Sequence, residues 1–223
     1  MTADTTRLRR AVRRYGVVGV ARRLLALARE SVYLRQEHVW YELDLRGERP
    51  RRELDSAFEL LEARVEHIPL LDELWAIDHA ETERRLQSGG TLWFVVDGRR
   101  PAFSCWTFRG RTPIRAAQKG WLDLPADAAC LEESMTAAAY RGRSIAPAAW
   151  TLIADRLAGQ QLRRLVTTIE EENAASRTAV SKVGFVEIGR AETVKTGSRV
   201  RVRLTSGDRD GNAAFLRRLE RKR

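Results

Sequence analysis

Two cysteines, Cys105 and Cys130, are all that 223 residues contain. A disulfide scaffold is thereby excluded, and each lies in an apolar strand-like run, which reads as a buried thiol. The three histidines, His38, His67 and His79, share no metal-ligand spacing with one another or with the cysteines, so no metal is expected. No apolar run approaches the roughly 20 residues that a membrane span needs. The stretch Met1 to Arg23 is basic, but Gly16 and Gly19 interrupt it and it has no small-residue cleavage site. A cytoplasmic location is expected. Lysine is also scarce, at four of the forty positive residues, so the charge is carried by arginine.

What is present is globular in character, with 43% hydrophobic and 31% charged residues, enough for one sizeable core. Forty positive against thirty negative side chains give a formal charge of +10. That balance favours an anionic partner, whether nucleotide, acidic protein or polyanion. No aromatic–basic stacking motif or helix-turn-helix pattern is evident, so nucleic acid is not the expected partner.

Three segments are expected. Residues 1–53 form an N-terminal extension: a basic helix with Leu8, Val12, Leu24 and Leu27 between arginines, then the strand "YLRQEHVWYELDL". That helix either packs its leucines on the main domain or docks on an acidic partner or anionic lipid. Residues 54–206 form the core, and 207–223 a basic tail. Within the core, "FELLEARVEHI" fits helix or strand, and "PLLDELWAIDHAETERRL" fits one helix stopped by Gly89-Gly90. "TLWFVV" and "PAFSCWTF" make a hairpin through Asp97-Gly98. "RGRTPIRAAQKGWLDLPADA" is a long connection with room for a strand at its centre. Then follow the strand "ACLEESMT", a helix from "SIAPAAW", the strand "LRRLVTTI", the helix "NAASRTAVSKV" and a last hairpin. Such alternation implies an α/β or α+β layer with at least one parallel pair.

The stretch "YRGRSIAPAAW" carries the chemistry. Between a strand and a helix it places Arg141, Gly142 and Arg143, where the first helical N–H groups and the positive end of the helix dipole point into the turn. That geometry suits a pyrophosphate, and a solvated turn is the alternative reading of the same residues. About thirty residues on, Asn173 opens a short helix after the acidic end of a strand, as a cap or as a hydrogen-bonding group for an extended ligand.

"YRGRSIA", followed by "NAAS" and, after five residues, "KVGF", resembles the GNAT superfamily of N-acetyltransferases. The match runs from about Ala129 to Val202, with Ser144 where the family's phosphate loop usually has its first glycine. The resemblance implies a mixed, V-shaped central sheet of about seven strands flanked by helices and splayed between "ACLEESMT" and "LRRLVTTI". It implies acetyl-CoA or another acyl-CoA as cosubstrate. The diphosphate would rest on Arg141, Gly142, Arg143, Ser144, Ile145 and Ala146, and the pantetheine arm along Met135 and Thr136. Asn173 would reach the arm from the other side, with Ser176 beside it. An amine, small-molecule or peptide, would attack the thioester directly. Glu132 and Glu133 are the candidate general bases; adjacent strand residues face opposite sides, so one of them should face the acceptor cleft. Thr168 is placed to orient a substrate or a water. The family's tyrosine acid, seven residues after the helix-opening asparagine, is Val180 here.

The same fold accommodates other readings: a transferase drawing its acyl group from an acidic acyl carrier protein or from aminoacyl-tRNA, or a non-catalytic binding module. Trp93, Trp106 and Trp121 either line an acceptor pocket or pack in the core. Assembly, including a homodimer, is open.

Overall fold

The computed structural model describes residues 33–74, 78–114, 120–197 and 199–207. The basic helix expected before residue 33 and the tail beyond residue 207 lie outside the described residues. Among the described residues, ten strands run in chain order: β1 Tyr33–Asp44, β2 Phe58–Glu62, β3 Thr91–Asp97, β4 Arg100–Arg109, β5 Arg111–Ile114, β6 Gly120–Asp123, β7 Ala128–Thr136, β8 Arg164–Glu170, β9 Val186–Thr196 and β10 Arg199–Gly207. Four helices join them: α1 Leu71–Leu74, α2 His79–Gln87, α3 Ile145–Gly159 and α4 Ala174–Ser181. The fold is the mixed α/β arrangement expected.

Eight strands form the main sheet in the order β10-β9-β1-β8-β7-β4-β3-β2, and β5-β6 make a separate hairpin. Every neighbour pair is antiparallel except β7 with β8. The eighth strand is β1. Assigned to an extension on sequence, it lies between β8 and β9 in the middle of one half of the sheet. Its alternation explains why: Val39, Tyr41 and Leu43 bury themselves on one face, and Trp40 on the other, so both faces of the strand need cover.

The core is divided by the sheet. On one face α3 and α4 pack Ile145, Ala149, Trp150, Ile153, Leu157 and Val180 against Leu131, Leu165 and Phe103. On the other, Trp40, Leu122, Leu124, Cys130 and Val166 form a cluster under the β5–β6 hairpin. A third cluster, with Leu71, Leu92, Phe94, Trp106 and Phe108, lies under the short helices. Trp93 and Trp106 are therefore core residues, and Trp121 stacks beneath Arg111 at 4.6 Å. Cys105 and Cys130 are free and buried, and burial pushes both thiols well above their usual pKa.

Two segments resolve differently from the periodicity. "FELLEARVEHI" splits into β2 and the 3-10 turn Val65–Leu70, whose Pro69 removes a helix donor. The helix expected over "PLLDELWAIDHAETERRL" is two helices: Asp78 starts α2 afresh by accepting from the N–H groups of Ala80 and Glu81. Gly89, at φ +88, ends it.

Candidate functional site

The sheet is two blades joined over four residue pairs. β7 and β8 are in register from Ala128↔Arg164 to Leu131↔Thr167, and no further. Beyond that point β8 stays with β1 as far as His38↔Glu170, while β7 stays with β4 as far as Phe103↔Thr136. The Thr167 hydroxyl donates to the Leu131 carbonyl at 2.8 Å, satisfying the last acceptor at the apex. Glu132–Thr136 and Thr168–Glu170 then diverge. The expected splay is present, between the strands expected to form it.

A β-bulge in β7 sharpens the divergence. Trp106 pairs with Glu132 and Ser104 with Met135, so Glu133 and Ser134 together oppose Cys105. Glu133 takes a left-handed backbone, φ +52. Past the bulge, the N–H of Ala137 bonds Ala102 on β4. By strand alternation, the backbone groups of Ser134 and Thr136 then face the opening.

A cavity of about 330 Å³ occupies the splay and reaches both faces of the sheet. On the α3/α4 side its wall includes Leu131, Met135, Trp150, Asn173, Ser176 and Val180. On the hairpin side it includes His38, Trp40, Pro113, Thr168, Thr193 and Val202. Glu132, Glu133 and Glu170 also line it. Both candidate bases thus reach the cavity, because the bulge breaks the alternation that would have sent them to opposite faces. Their surroundings separate them. Glu132 is buried and accepts from the Cys130 thiol at 3.4 Å. Glu133 is ion-paired with Arg85 at 2.8 Å. Among the described residues, the buried Thr168 hydroxyl has no hydrogen-bond partner.

Thr136 and Arg141–Ala146 lie outside the cavity wall, and follow Met135 along the chain. Their turn is fastened by side chains. Tyr140 donates to Asp97, Arg141 donates to the Thr136 carbonyl, and Arg143 lies 4.9 Å over the Phe58 ring. The bond to Asp97 raises the Tyr140 pKa. The backbone amides are left over: among the described residues, nothing accepts from the N–H of Gly142, Arg143, Ser144, Ile145 or Ala146. Gly142 sits at φ +80 and Ser144 at φ +57, so the serine adopts the left-handed conformation that glycine takes more readily. It makes no side-chain cap bond, contrary to what its residue type suggests, and the first turn of α3 stays open.

Asn173 does cap its helix, accepting from the Ser176 N–H at 3.1 Å. The turn before it is pinned by Glu171, whose carboxylate meets Arg177 and Arg190. Val180 is buried in the wall, and an apolar side chain supplies no acid there. His38 and Trp40 are wall residues that the sequence does not single out, because the polar run after β1 reads as a boundary of the core. Their signal was the same-face spacing of His38, Trp40 and Glu42 opposite Val39, Tyr41 and Leu43. Among the described residues, no group of three or more His, Cys, Asp or Glu is arranged to hold a metal ion. None of their helices is long and apolar enough to cross a membrane.

No protein-family model matches the chain, and no curated protein sequence does. Solved structures do. A GCN5-related N-acetyltransferase from Sphaerobacter thermophilus aligns at TM-score 0.55 with 13% identity, over 78% of this chain and 56% of that one. A tandem GNAT protein from the clavulanic acid biosynthesis pathway aligns at 0.54 with 12% identity, over 74% and 54%. An acetyltransferase of the GNAT family from Colwellia psychrerythraea gives 0.51 and 13%, over 80% and 61%. The chain spans little more than half the length of these structures. At such identities the likeness is one of fold.

Proposed function

We propose that this chain, which has the GNAT fold, is an N-acyltransferase that moves an acyl group, most simply acetyl, from acyl-CoA to an amine. The observation that carries the reading is the row of unpaired amides from Gly142 to Ala146 beside a sheet that opens after Leu131. Two features suit a diphosphate-bearing thioester: donors with no partner among the described residues, and a gap between strands that opens after Leu131. Arg141 and Arg143 add charge at the turn. The Thr168 hydroxyl and the exposed β7 edge at Ser134 supply polar partners inside the gap.

The reaction is direct transfer. The amine nitrogen attacks the thioester carbonyl carbon, a C–N bond forms, the C–S bond breaks, and the thiolate leaves with the electron pair. Holding the two reactants together contributes about 7–11 kcal/mol in well-oriented systems. A backbone N–H on the free edge of β7 stabilises the developing oxyanion. Glu132 takes the proton from nitrogen: it is buried at the cavity wall, whereas Glu133 is committed to Arg85. With Val180 in place of an acid, the CoA thiolate departs unprotonated and takes its proton from solvent. In this reading the acceptor enters from the hairpin side and the reaction is cytoplasmic.

Calorimetric titration with CoA and with acetyl-CoA tests it. Saturable one-to-one binding is expected, weakened about tenfold by Gly142→Val. Folded protein that binds neither at millimolar concentration contradicts the reading.

A further inference from the structure

The backbone of Glu133 is the most revealing strained position in the site. A glutamate at φ +52 is unfavourable unless something else holds it. Its carboxylate meets the Arg85 guanidinium at 2.8 Å, with the two side chains 9% and 20% exposed. Arg85 belongs to α2, on the opposite side of the sheet from α3, and is itself fixed. It bonds Glu81 one turn back at 3.1 Å and lies 5.8 Å over the Trp106 ring. Burial pulls its pKa down, but the charge and hydrogen bond of Glu133, with those of Glu81, outweigh this and raise it. The helix cannot drift. Asp78 caps its start, and at its end Gly90 packs so closely that an added Cβ would lie 2.7 Å from Phe108.

We propose that Arg85 is a positioning residue: by gripping Glu133 it locks the bulge in β7 and so holds the free edge at Ser134–Thr136 open for the acyl donor. Glu133 is then the second half of a latch, and Glu132 alone has the base's role. Without the ion pair, a strained non-glycine residue at position 133 relaxes, the bulge shifts, and the register from Glu132 to Met135 changes with it. The latch also links α2 on one side of the sheet to the strand edge that the donor uses. This inference rests on the proposed acyltransferase function for its donor, but the latch itself does not.

Glycine tests it, because glycine adopts φ +52 without strain. CoA titration is expected to show about tenfold weaker binding for Glu133→Ala and near wild-type binding for Glu133→Gly. Arg85→Met, which keeps the stem over Trp106 and removes the charge, is expected to match Glu133→Ala; adding Glu133→Gly to it should restore binding. The pH profile of kcat is expected to be unchanged in Arg85→Met. Hydrogen exchange at the amides of Met135 and Ala137, which face β4, reads the latch without any ligand: faster in Arg85→Met and Glu133→Ala, unchanged in Glu133→Gly. Wild-type exchange in Arg85→Met, or glycine and alanine behaving alike at position 133, overturns the proposal. Failure of the wild type to bind CoA, with the exchange pattern intact, overturns the donor assignment and leaves the latch standing.

Discussion

The proposed donor surface, which starts at the cavity and runs beyond it, comes from nearly continuous chain, Ser134 to Ala146, whereas the hairpin side of the cavity is gathered from β1, β5, β8, β9 and β10. The first offers main-chain groups: amides with no internal partner at a helix start and a strand edge with no neighbour. The second offers side chains, among them His38, Trp40, Thr168 and Thr193. Backbone recognition tolerates a change of residue type so long as φ is kept, which is how Ser144 replaces glycine. Side-chain recognition does not tolerate it. In the proposed function, a donor common to many proteins meets the first kind of surface and a particular acceptor the second.

The largest effect that would sharpen this division is expected from Glu132→Gln. Loss of the proposed base should lower kcat by about 10²–10⁴-fold in a steady-state assay while CoA affinity stays within about twofold. An unchanged kcat would move the base elsewhere in the wall, with His38 next in place. Gly142→Val should act on the other end. A β-branched residue at φ +80 costs on the order of 1–2 kcal/mol, so CoA should bind roughly tenfold more weakly with kcat at saturation little altered. Thr168→Val should raise the KM of the acceptor about threefold and leave CoA affinity alone. Because the hydroxyl it removes is buried without a partner, thermal stability should hold or rise. The smallest effect is at Ser144→Gly. Relief of the left-handed strain, set against glycine's greater unfolded entropy, should stabilise the protein by about 0.5–1 kcal/mol without loss of CoA binding. A fall in melting temperature there would mean that the serine hydroxyl makes a contact of its own.

The same division decides what the sequence reveals. The turn at Arg141–Ala146 and the cap at Asn173 are local, so spacing and residue type are enough to find them, whereas the splay between β7 and β8 is legible only through the family resemblance. The wall at His38, Trp40 and Thr193 depends on β1 entering between β8 and β9, a pairing across more than a hundred residues that no local pattern encodes. The charge run between β1 and β2 disguised it further: Arg49 and Arg52 look like a linker, yet Arg49 is paired with Asp155 of α3 and Arg52 donates to the Lys182 carbonyl. The different surroundings of Glu132 and Glu133 are hidden in the sequence for another reason. A bulge overrides the two-residue period, and its cause, Arg85, is 48 residues away.

A crystal structure of the protein with CoA bound tests the central claim most directly. The account predicts diphosphate oxygens within hydrogen-bonding distance of the amides from Gly142 to Ala146, and the thiol in the gap between Leu131 and Thr168. CoA absent from that turn in crystals grown at saturating ligand, or bound elsewhere on the molecule, would contradict it.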